Sequence, residues 1–259
     1  MSQSDFTVIF DLDGTLLNTL EDLADALNFT LRELDCPEKS DADVLAAIGK
    51  GIKNAIIKLM CCGESCDGGK NGGLGSEPGT RPEPGADGKL EAGASAGPDA
   101  ETVSRGMALF RKRYEECYLM RTRPYPGIME LLRELRGRGC RIAVISNKAD
   151  SFTVGLIEKN FGPLVDATAG ELPGVPLKPD PKAVLSILSK VGGTPERAVY
   201  VGDSEVDIAT ARNAGLPLIL VSWGFRNRDE LIRAGADPAS FANTAEEVLA
   251  KIDVLIEKS

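Results

Sequence analysis

The sequence of 259 residues contains no histidine. Histidine is the commonest general base near neutral pH and the commonest metal ligand in proteins. Its absence excludes Ser–His and Cys–His nucleophile pairs and the usual histidine-containing zinc sites. Acid and base chemistry must therefore be carried out by carboxylates or by lysine.

Long apolar runs and a regular cysteine framework are also missing. No stretch approaches the roughly 20 apolar residues that span a bilayer, and the N-terminus lacks a basic segment followed by a long apolar one. The six cysteines form no regular disulfide pattern. We therefore expect reduced thiols and a cytoplasmic protein with no membrane partner. Within CCGESC, Cys61, Cys62 and Cys66 lack the fourth ligand of a usual zinc site.

The charge balance limits which classes of binding partner are possible. A net charge of −9 argues against nucleic acid as a partner, because general nucleic-acid binding depends on many Lys and Arg contacts to phosphates. A small phosphorylated metabolite remains possible, since local cations, backbone N–H groups and a metal can reverse the potential inside a cleft. The apolar content of 42% and charged content of 27% are typical of a soluble globular protein.

Short apolar runs alternate with helical patterns over much of the chain. They predict strands at residues 7–10, 141–145, 198–201 and 218–221, and less clearly at 165–168. Helical patterns cover residues 128–136, 182–191 and 206–214. This alternation predicts an α/β fold with a doubly wound, Rossmann-like parallel sheet covered on both faces.

Residues 18–120 interrupt the alternation with amphipathic helical patterns. We predict a core formed by residues 1–17 and 121–259, and an inserted helical unit at 18–120. Inside the unit, residues 63–100 contain no aromatic residue, valine or isoleucine and are rich in Gly, Pro and Ser. Such a composition buries too little apolar surface to offset its ordering entropy, so we predict a flexible insertion.

The first predicted strand ends in DLDGT. Asp11 and Asp13 are two residues apart, while Gly14 and Thr15 turn the backbone after them. One carboxylate can attack while the other manages protons, and the pair can share a divalent cation. By itself the motif is also a common acidic turn.

Polar groups follow the other predicted strands as well. Ser146 and Asn147 present a hydroxyl, an amide and a helix start, Lys178 offers a cation, and Asp203 and Asp207 add two carboxylates. Taken singly, these residues are more often helix caps or solvated charges. Together they gather at the carboxyl edge of the sheet, where open α/β folds bind ligands.

The motifs DLDGT, SN, K and GDSEVD resemble those of the haloacid dehalogenase superfamily. The segments YPGIMELLRELRGRG and IATARNAG are similar to its phosphoglycolate phosphatase-like branch, and the likeness covers nearly the whole chain. It implies that the helical unit is a small cap domain. The second aspartate of DLDGT favours phosphate chemistry over dehalogenation.

The resemblance also implies roles for single residues. Asp11 would be the nucleophile, and Asp13 would protonate the leaving group and then activate water. A Mg²⁺ cofactor would be held by Asp11, the backbone carbonyl of Asp13, and Asp203, with Asp207 in support. Phosphate and substrate would be bound by Gly14, Thr15, Ser146, Asn147, Lys178 and, in the loop GKGIKN, Lys50. That loop fits a junction between helices with solvated lysines equally well.

Several functions stay open at this point. Phosphoglycolate is the leading substrate, with pyrophosphate, a sugar phosphate or a nucleotide as rivals. A phosphomutase is disfavoured because its relatives use a cap histidine. A phosphonate hydrolase would require a Schiff-base lysine such as Lys50, Lys53 or Lys58. The rival of another class is a catalytically idle binding or scaffold protein. Monomer and homodimer are both open.

Overall fold

The computed structural model describes residues 5–61 and 97–259. Most of the predicted flexible insertion at 63–100, with Cys66, lies outside these residues, as does Cys62. Within the described ranges, none of the helices combines the length and the apolar character that crossing a membrane requires.

The strands in the described part of the chain form two sheets. The structure places them at β1 Thr7–Phe10, β2 Leu17–Asn18, β3 Arg123–Pro124, β4 Arg141–Ala149, β5 Ala167–Glu171, β6 Ala198–Gly202, β7 Leu218–Val221 and β8 Phe241–Ala242. Six of them form one sheet in the order β5-β4-β1-β6-β7-β8, and all neighbours in it are parallel. β2 and β3 pair antiparallel. The predicted α/β fold with a parallel sheet is confirmed.

The helices in the described ranges lie at α1 Leu20–Glu33, α2 Asp41–Ala47, α3 Ile52–Cys61, α4 Ala100–Cys117, α5 Ile128–Gly137, α6 Asp150–Asn160, α7 Lys182–Lys190, α8 Glu205–Ala214, α9 Arg228–Arg233 and α10 Ala245–Lys258. Their ends follow from local chemistry. At α8, Ser204 accepts a hydrogen bond from the N–H of Asp207, whose side chain accepts one from the N–H of Ser204. Gly215 ends the same helix with a positive φ of 69°.

Apolar residues of the central strand alternate between the two faces of the sheet. In β1, Val8 and Phe10 pack in a core with α5 and α10, whereas Ile9 packs on the opposite side with α7 and α8. This two-sided burial explains why the strand is continuously apolar.

The helices α1 to α4 pack around an apolar core of their own, and we refer to them as the helical unit. That core includes Leu27, Ile56 and Phe110, all buried, and α6 reaches it through Phe152. The chain enters and leaves the helical unit through β2 and β3, which hydrogen-bond to each other. The predicted boundaries at residues 17/18 and 120/121 stay predictions, although this paired crossing lies close to them.

Candidate active site

The carboxyl ends of the three central strands meet at one edge of the sheet. Phe10 of β1 pairs with Val144 of β4 and with Val201 of β6, so the residues just beyond these three positions lie side by side. Asp11 and Asp203 follow their strands, but β4 continues to Ala149, so Ser146 and Asn147 lie within the strand and not at a helix start as expected. This register brings together Asp11, the pair Ser146 and Asn147, and Asp203. Lys178 joins them from the segment after β5 and is buried.

Asp11 is buried beside a lysine. Its Oδ1 atom lies 2.8 Å from Lys178 Nζ and accepts a hydrogen bond of 2.7 Å from the N–H of Leu12. Burial raises the pKa of Asp11 well above its usual range, and the charge of Asp207 adds to this, while Lys178 opposes both. The lysine thus supports the charged form of a carboxylate that burial disfavours.

Asp13 faces a different set of groups. Its Oδ1 atom accepts hydrogen bonds from Thr19 Oγ1 at 2.6 Å and lies 2.9 Å from Lys148 Nζ, and its Oδ2 atom accepts one from Ser146 Oγ at 3.2 Å. Lys148 Nζ also donates to the hydroxyl of Tyr114 in α4 at 2.9 Å. Lys148 was not singled out from the sequence, although it directly follows the predicted pair Ser146 and Asn147.

Both the ammonium group and the backbone of Lys178 are held by neighbouring groups. Its ammonium group lies between Asp11 and Asp207, 2.8 and 2.9 Å from their carboxylate oxygens. Burial alone would lower the pKa of Lys178, but these two negative charges raise it well above its usual range. Its backbone N–H donates to Asn147 Oδ1 at 2.8 Å, and its C=O accepts from Asn147 Nδ2 at 3.1 Å. Asn147 therefore positions Lys178 through the backbone.

Three buried carboxylates can hold a metal ion. Oxygen atoms of Asp11, Asp203 and Asp207 all lie within 4.8 Å of one another. Burial raises the pKa of Asp203 to about 7, with a further contribution from the charge of Asp207. Such crowded oxygen ligands with net negative charge suit a hard divalent cation. The carboxylate of Asp13 lies beside Lys148, outside this cluster, and the contribution predicted for its backbone carbonyl stays a prediction.

Asp207 is the most heavily hydrogen-bonded of the three. Its Oδ1 accepts from Lys178 Nζ and from the Tyr200 hydroxyl, both at 2.9 Å. Its Oδ2 accepts from the N–H of Asp203 and from both the N–H and the hydroxyl of Ser204. Burial would raise the pKa of Asp207, but Lys178 and these hydrogen bonds lower it below its usual range. These contacts favour the supporting role over direct metal coordination.

Gly14 and Thr15 pack directly against Asp203. Gly14 has a φ of +87°, and a Cβ atom there would lie 2.3 Å from Asp203 Oδ2, so only glycine fits. Thr15 Oγ1 donates to Asp203 Oδ1 at 2.9 Å. The hydroxyl predicted to bind phosphate therefore orients a carboxylate of the acidic cluster in this structure.

A cavity of about 70 Å³ lies above these groups, between the core and the helical unit. Besides the polar groups already described, it is lined by residues that include Ile48, Gly49, Ile52, Phe225 and Arg226. Lys50, predicted to contact substrate, is not among the lining residues in the described part of the chain. Its side chain is 65% exposed and lies 3.7 Å from Glu205.

Known proteins resemble this chain in sequence and in fold. The family model for haloacid dehalogenase-like hydrolases matches residues 7–215. A phosphoglycolate phosphatase from Nitrosospira multiformis is 31% identical over 233 residues, covering 89% of this chain and 88% of the relative. A phosphoglycolate phosphatase from Rhodospirillum rubrum is 32% identical, covering 88% and 84%.

A solved structure gives the same result. A protein assigned as a phosphoglycolate phosphatase from Lactobacillus delbrueckii subsp. bulgaricus is 29% identical, has a TM-score of 0.79, and covers 97% of this chain and 99% of its own. Together these likenesses support a phosphoric monoester hydrolase. This chain therefore belongs to the haloacid dehalogenase-like hydrolase family.

Proposed function

We propose that this protein is a Mg²⁺-dependent phosphatase that hydrolyses phosphoglycolate through an aspartyl-phosphate intermediate. The observation that carries the proposal is the position of Asp11, which contacts Lys178 and also belongs to the acidic cluster with Asp203. A phosphate ester placed there would meet a nucleophile and a permanent cation together. The names of the relatives favour phosphoglycolate as substrate.

The first half of the reaction transfers the phosphoryl group to the protein. A carboxylate oxygen of Asp11 forms a bond to phosphorus while the bond from phosphorus to the leaving oxygen breaks. Protonated Asp13 gives its proton to that oxygen, so glycolate leaves as an alcohol. Lys178 faces the oxygens of the transferring group and stabilises their charge.

The second half returns the protein to its starting state. Asp13, now a carboxylate, takes a proton from a water molecule whose oxygen attacks phosphorus. The bond between phosphorus and Asp11 breaks, inorganic phosphate leaves, and Asp13 is again protonated. Asp11, Asp203 and the backbone carbonyl of Asp13 would hold Mg²⁺, with Asp207 in support. When bound, the ion offsets the repulsion between the phosphate ester and the carboxylates.

The helical unit supplies the small chamber for the leaving group. In the proposal it is a cap, and its residues Ile48, Gly49 and Ile52 face the catalytic groups across a cavity of about 70 Å³. A chamber of this size favours a short leaving group such as glycolate over a nucleotide. A cytoplasmic location, with a monomeric or homodimeric state, completes the proposal as predicted from the sequence.

A panel of phosphorylated metabolites tests the proposal. We expect phosphate release that is selective for phosphoglycolate, needs Mg²⁺ and is abolished by EDTA. Release from a different compound would keep the mechanism and reject the substrate. No release from any compound in the panel would favour the idle binding or scaffold protein instead.

Asp11→Asn tests the nucleophile. The amide is nearly isosteric but cannot attack phosphorus, so kcat should fall by ~10³-fold or more while the thermal unfolding midpoint changes little. Asp5→Asn is a matched control, because it removes the same charge from an exposed side chain just before β1. Full activity in Asp11→Asn would disprove the mechanism.

A further inference from the structure

The loop after β7 is fastened to the acidic cluster. The N–H of Phe225 donates to Asp203 Oδ2 at 2.7 Å, and Trp223 Nε1 donates to the backbone carbonyl of Thr15 at 3.2 Å. Gly224 lies so close to Asp203 that a Cβ atom would come within 2.3 Å of it. The position of this loop therefore depends on the position of Asp203.

The next residue of the same loop reaches across to the helical unit. Arg226 donates from its two terminal nitrogens to the backbone carbonyls of Leu45 and Ile48, each at 2.7 Å. These carbonyls belong to the last turn and the C-terminal end of α2, where the helix has unpaired acceptors and partial negative charge. Arg226 thus binds the end of a helix that belongs to the other part of the molecule.

The geometry of Arg226 is well suited to this contact. Its Nε donates to Glu205 Oε2 at 3.3 Å, and the side chain is only 14% exposed. Glu205 is the first residue of α8 and belongs to the same GDSEVD motif as Asp203. A planar guanidinium can satisfy two carbonyls and a carboxylate at once, which an ammonium group cannot do with the same geometry.

Other polar contacts of the α2–α3 loop are weaker. Asn147 Nδ2 lies 3.5 Å from the carbonyl of Gly49, at the limit of a hydrogen bond. Lys50 lies 3.7 Å from Glu205 and is mostly exposed, so this ion pair contributes little. The shorter and more buried contacts of Arg226 are therefore the main polar attachment of residues 48–51 to the core.

We propose that Arg226 is a positioning residue that fastens residues 48–51 over the active-site cavity and links them, through the loop after β7, to Asp203. This inference rests on the proposed function for its activity test. It adds that the loop after β7 connects the acidic cluster, through Phe225 and Arg226, to the wall of the leaving-group chamber. Arg226 also lines the cavity, but its guanidinium is already held by the two α2 carbonyls and by Glu205, so its role in the proposal is to position the wall.

Hydrogen exchange and kinetics test the role together. In Arg226→Gln, backbone amides of residues 48–55 should exchange at least about tenfold faster, because two charge-assisted hydrogen bonds no longer favour the closed loop. Amides of β1 and β6 should keep their protection. This measurement requires no substrate, so it stands even if the proposed phosphatase activity is absent.

Activity on two substrates separates closure from chemistry. For the best small metabolite of the panel, kcat/KM in Arg226→Gln should fall at least about tenfold, whereas p-nitrophenyl phosphate should be unaffected, because its leaving group is too large for the closed chamber and leaves without protonation. Arg226→Lys should recover part of the loss. Arg228→Gln is the matched control, since Arg228 donates a hydrogen bond to the backbone carbonyl of Pro238 and not to the helical unit.

Two results would overturn the inference. Unchanged exchange at residues 48–55 in Arg226→Gln would show that Arg226 does not hold the loop. Faster exchange in β1 and β6 to the same extent, with equal losses on both substrates, would show a general structural role.

Discussion

Two buried lysines separately contact the two carboxylates that we propose to be catalytic. Lys178 lies between Asp11 and Asp207, and Lys148 lies between Asp13 and the Tyr114 hydroxyl. Each ammonium group is desolvated, yet the adjacent negative charges raise the pKa of both lysines above their usual range. The proposed nucleophile and the proposed acid therefore each keep a dedicated cation.

Lys148→Met tests the second of these pairs. Removing the ammonium group takes away the contact that orients Asp13, so kcat should fall at least about tenfold, within the range that general acid–base catalysis supplies. The free energy of unfolding should decrease by about 2 kcal/mol, less than for a fully buried pair, because the Asp13 side chain is 19% exposed. Steady-state kinetics and urea unfolding measure the two effects.

Tyr114→Phe is the control for that variant. It removes only the phenolic hydroxyl, whose pKa burial raises to about 12, and leaves Lys148 beside Asp13. We expect a loss of about 1 kcal/mol in stability with kcat within about threefold of wild type. An unchanged kcat in Lys148→Met would limit Lys148 to a structural role.

The two chain crossings between core and helical unit are joined by a buried carboxylate at the start of α1. Asp22 is 1% exposed and accepts hydrogen bonds from the N–H groups of Arg121 and Thr122 and from the Thr122 hydroxyl. These contacts connect a helix that begins just after β2 to the residues just before β3. The helical unit is thereby anchored at a fixed point next to the edge of the sheet that carries the candidate active site.

Asp22→Ala should disrupt this anchor. Buried donors would lose their acceptor, so the free energy of unfolding should decrease by about 2–3 kcal/mol in urea titrations. Asp25→Ala on the same helix is the comparison, because Asp25 is more exposed and pairs with Arg113 inside the helical unit. It should cost less than about 1 kcal/mol. Equal losses in both variants would contradict a special role for Asp22.

The sequence predicted the central strands well because they are buried on both faces and continuously apolar. β5 was placed too early, at 165–168, because Gly170 weakens the pattern where the strand passes close to Asp150. α6 was not predicted from the sequence. Its Phe152 packs on the helical unit and its Leu156 packs on the sheet core, so its apolar residues do not form one face.

Of the remaining features, some left a recognisable pattern in the sequence and others did not. α10 carried one, with Thr244 as N-cap and buried Val248 and Ile252 four residues apart, and it could have been predicted. The motif residues at strand ends were found because parallel strands gather them at one edge. The contacts of Arg226 could not be predicted, because its partners are the backbone carbonyls of Leu45 and Ile48, which are distant from it in sequence.

At the scale of the whole molecule, stability without metal depends on the acidic cluster. Asp203 has a folded pKa of about 7 against an ordinary 3.8, so between these pH values the folded state holds a proton that the unfolded chain has lost. Stability contributed by this proton must fall as pH rises through the window. The pKa of Asp11 is also raised, so its proton affects stability in the same way as that of Asp203. The pKa of Asp207 is lowered, so its effect on stability falls at pH values below 3.8.

Metal binding should reverse this loss. A divalent cation competes with the proton on Asp203. At about pH 8, Mg²⁺ at a hundredfold excess over its Kd should therefore stabilise the folded state by ~2–3 kcal/mol. The rise in the thermal unfolding midpoint should be smaller at about pH 5, where the proton occupies Asp203. Scanning calorimetry with Mg²⁺ and with EDTA measures both curves.

Asp203→Asn separates the proton from the metal. Its amide oxygen can still accept from Thr15 or from the N–H of Phe225, but it carries no charge at any pH. In EDTA this variant should be more stable than wild type at about pH 8, because it avoids the buried charge, and Mg²⁺ should no longer raise its midpoint. A wild-type protein whose stability in EDTA stays constant between about pH 4 and pH 7 would show that Asp203 is ionised throughout, and that the cluster is compensated without a metal.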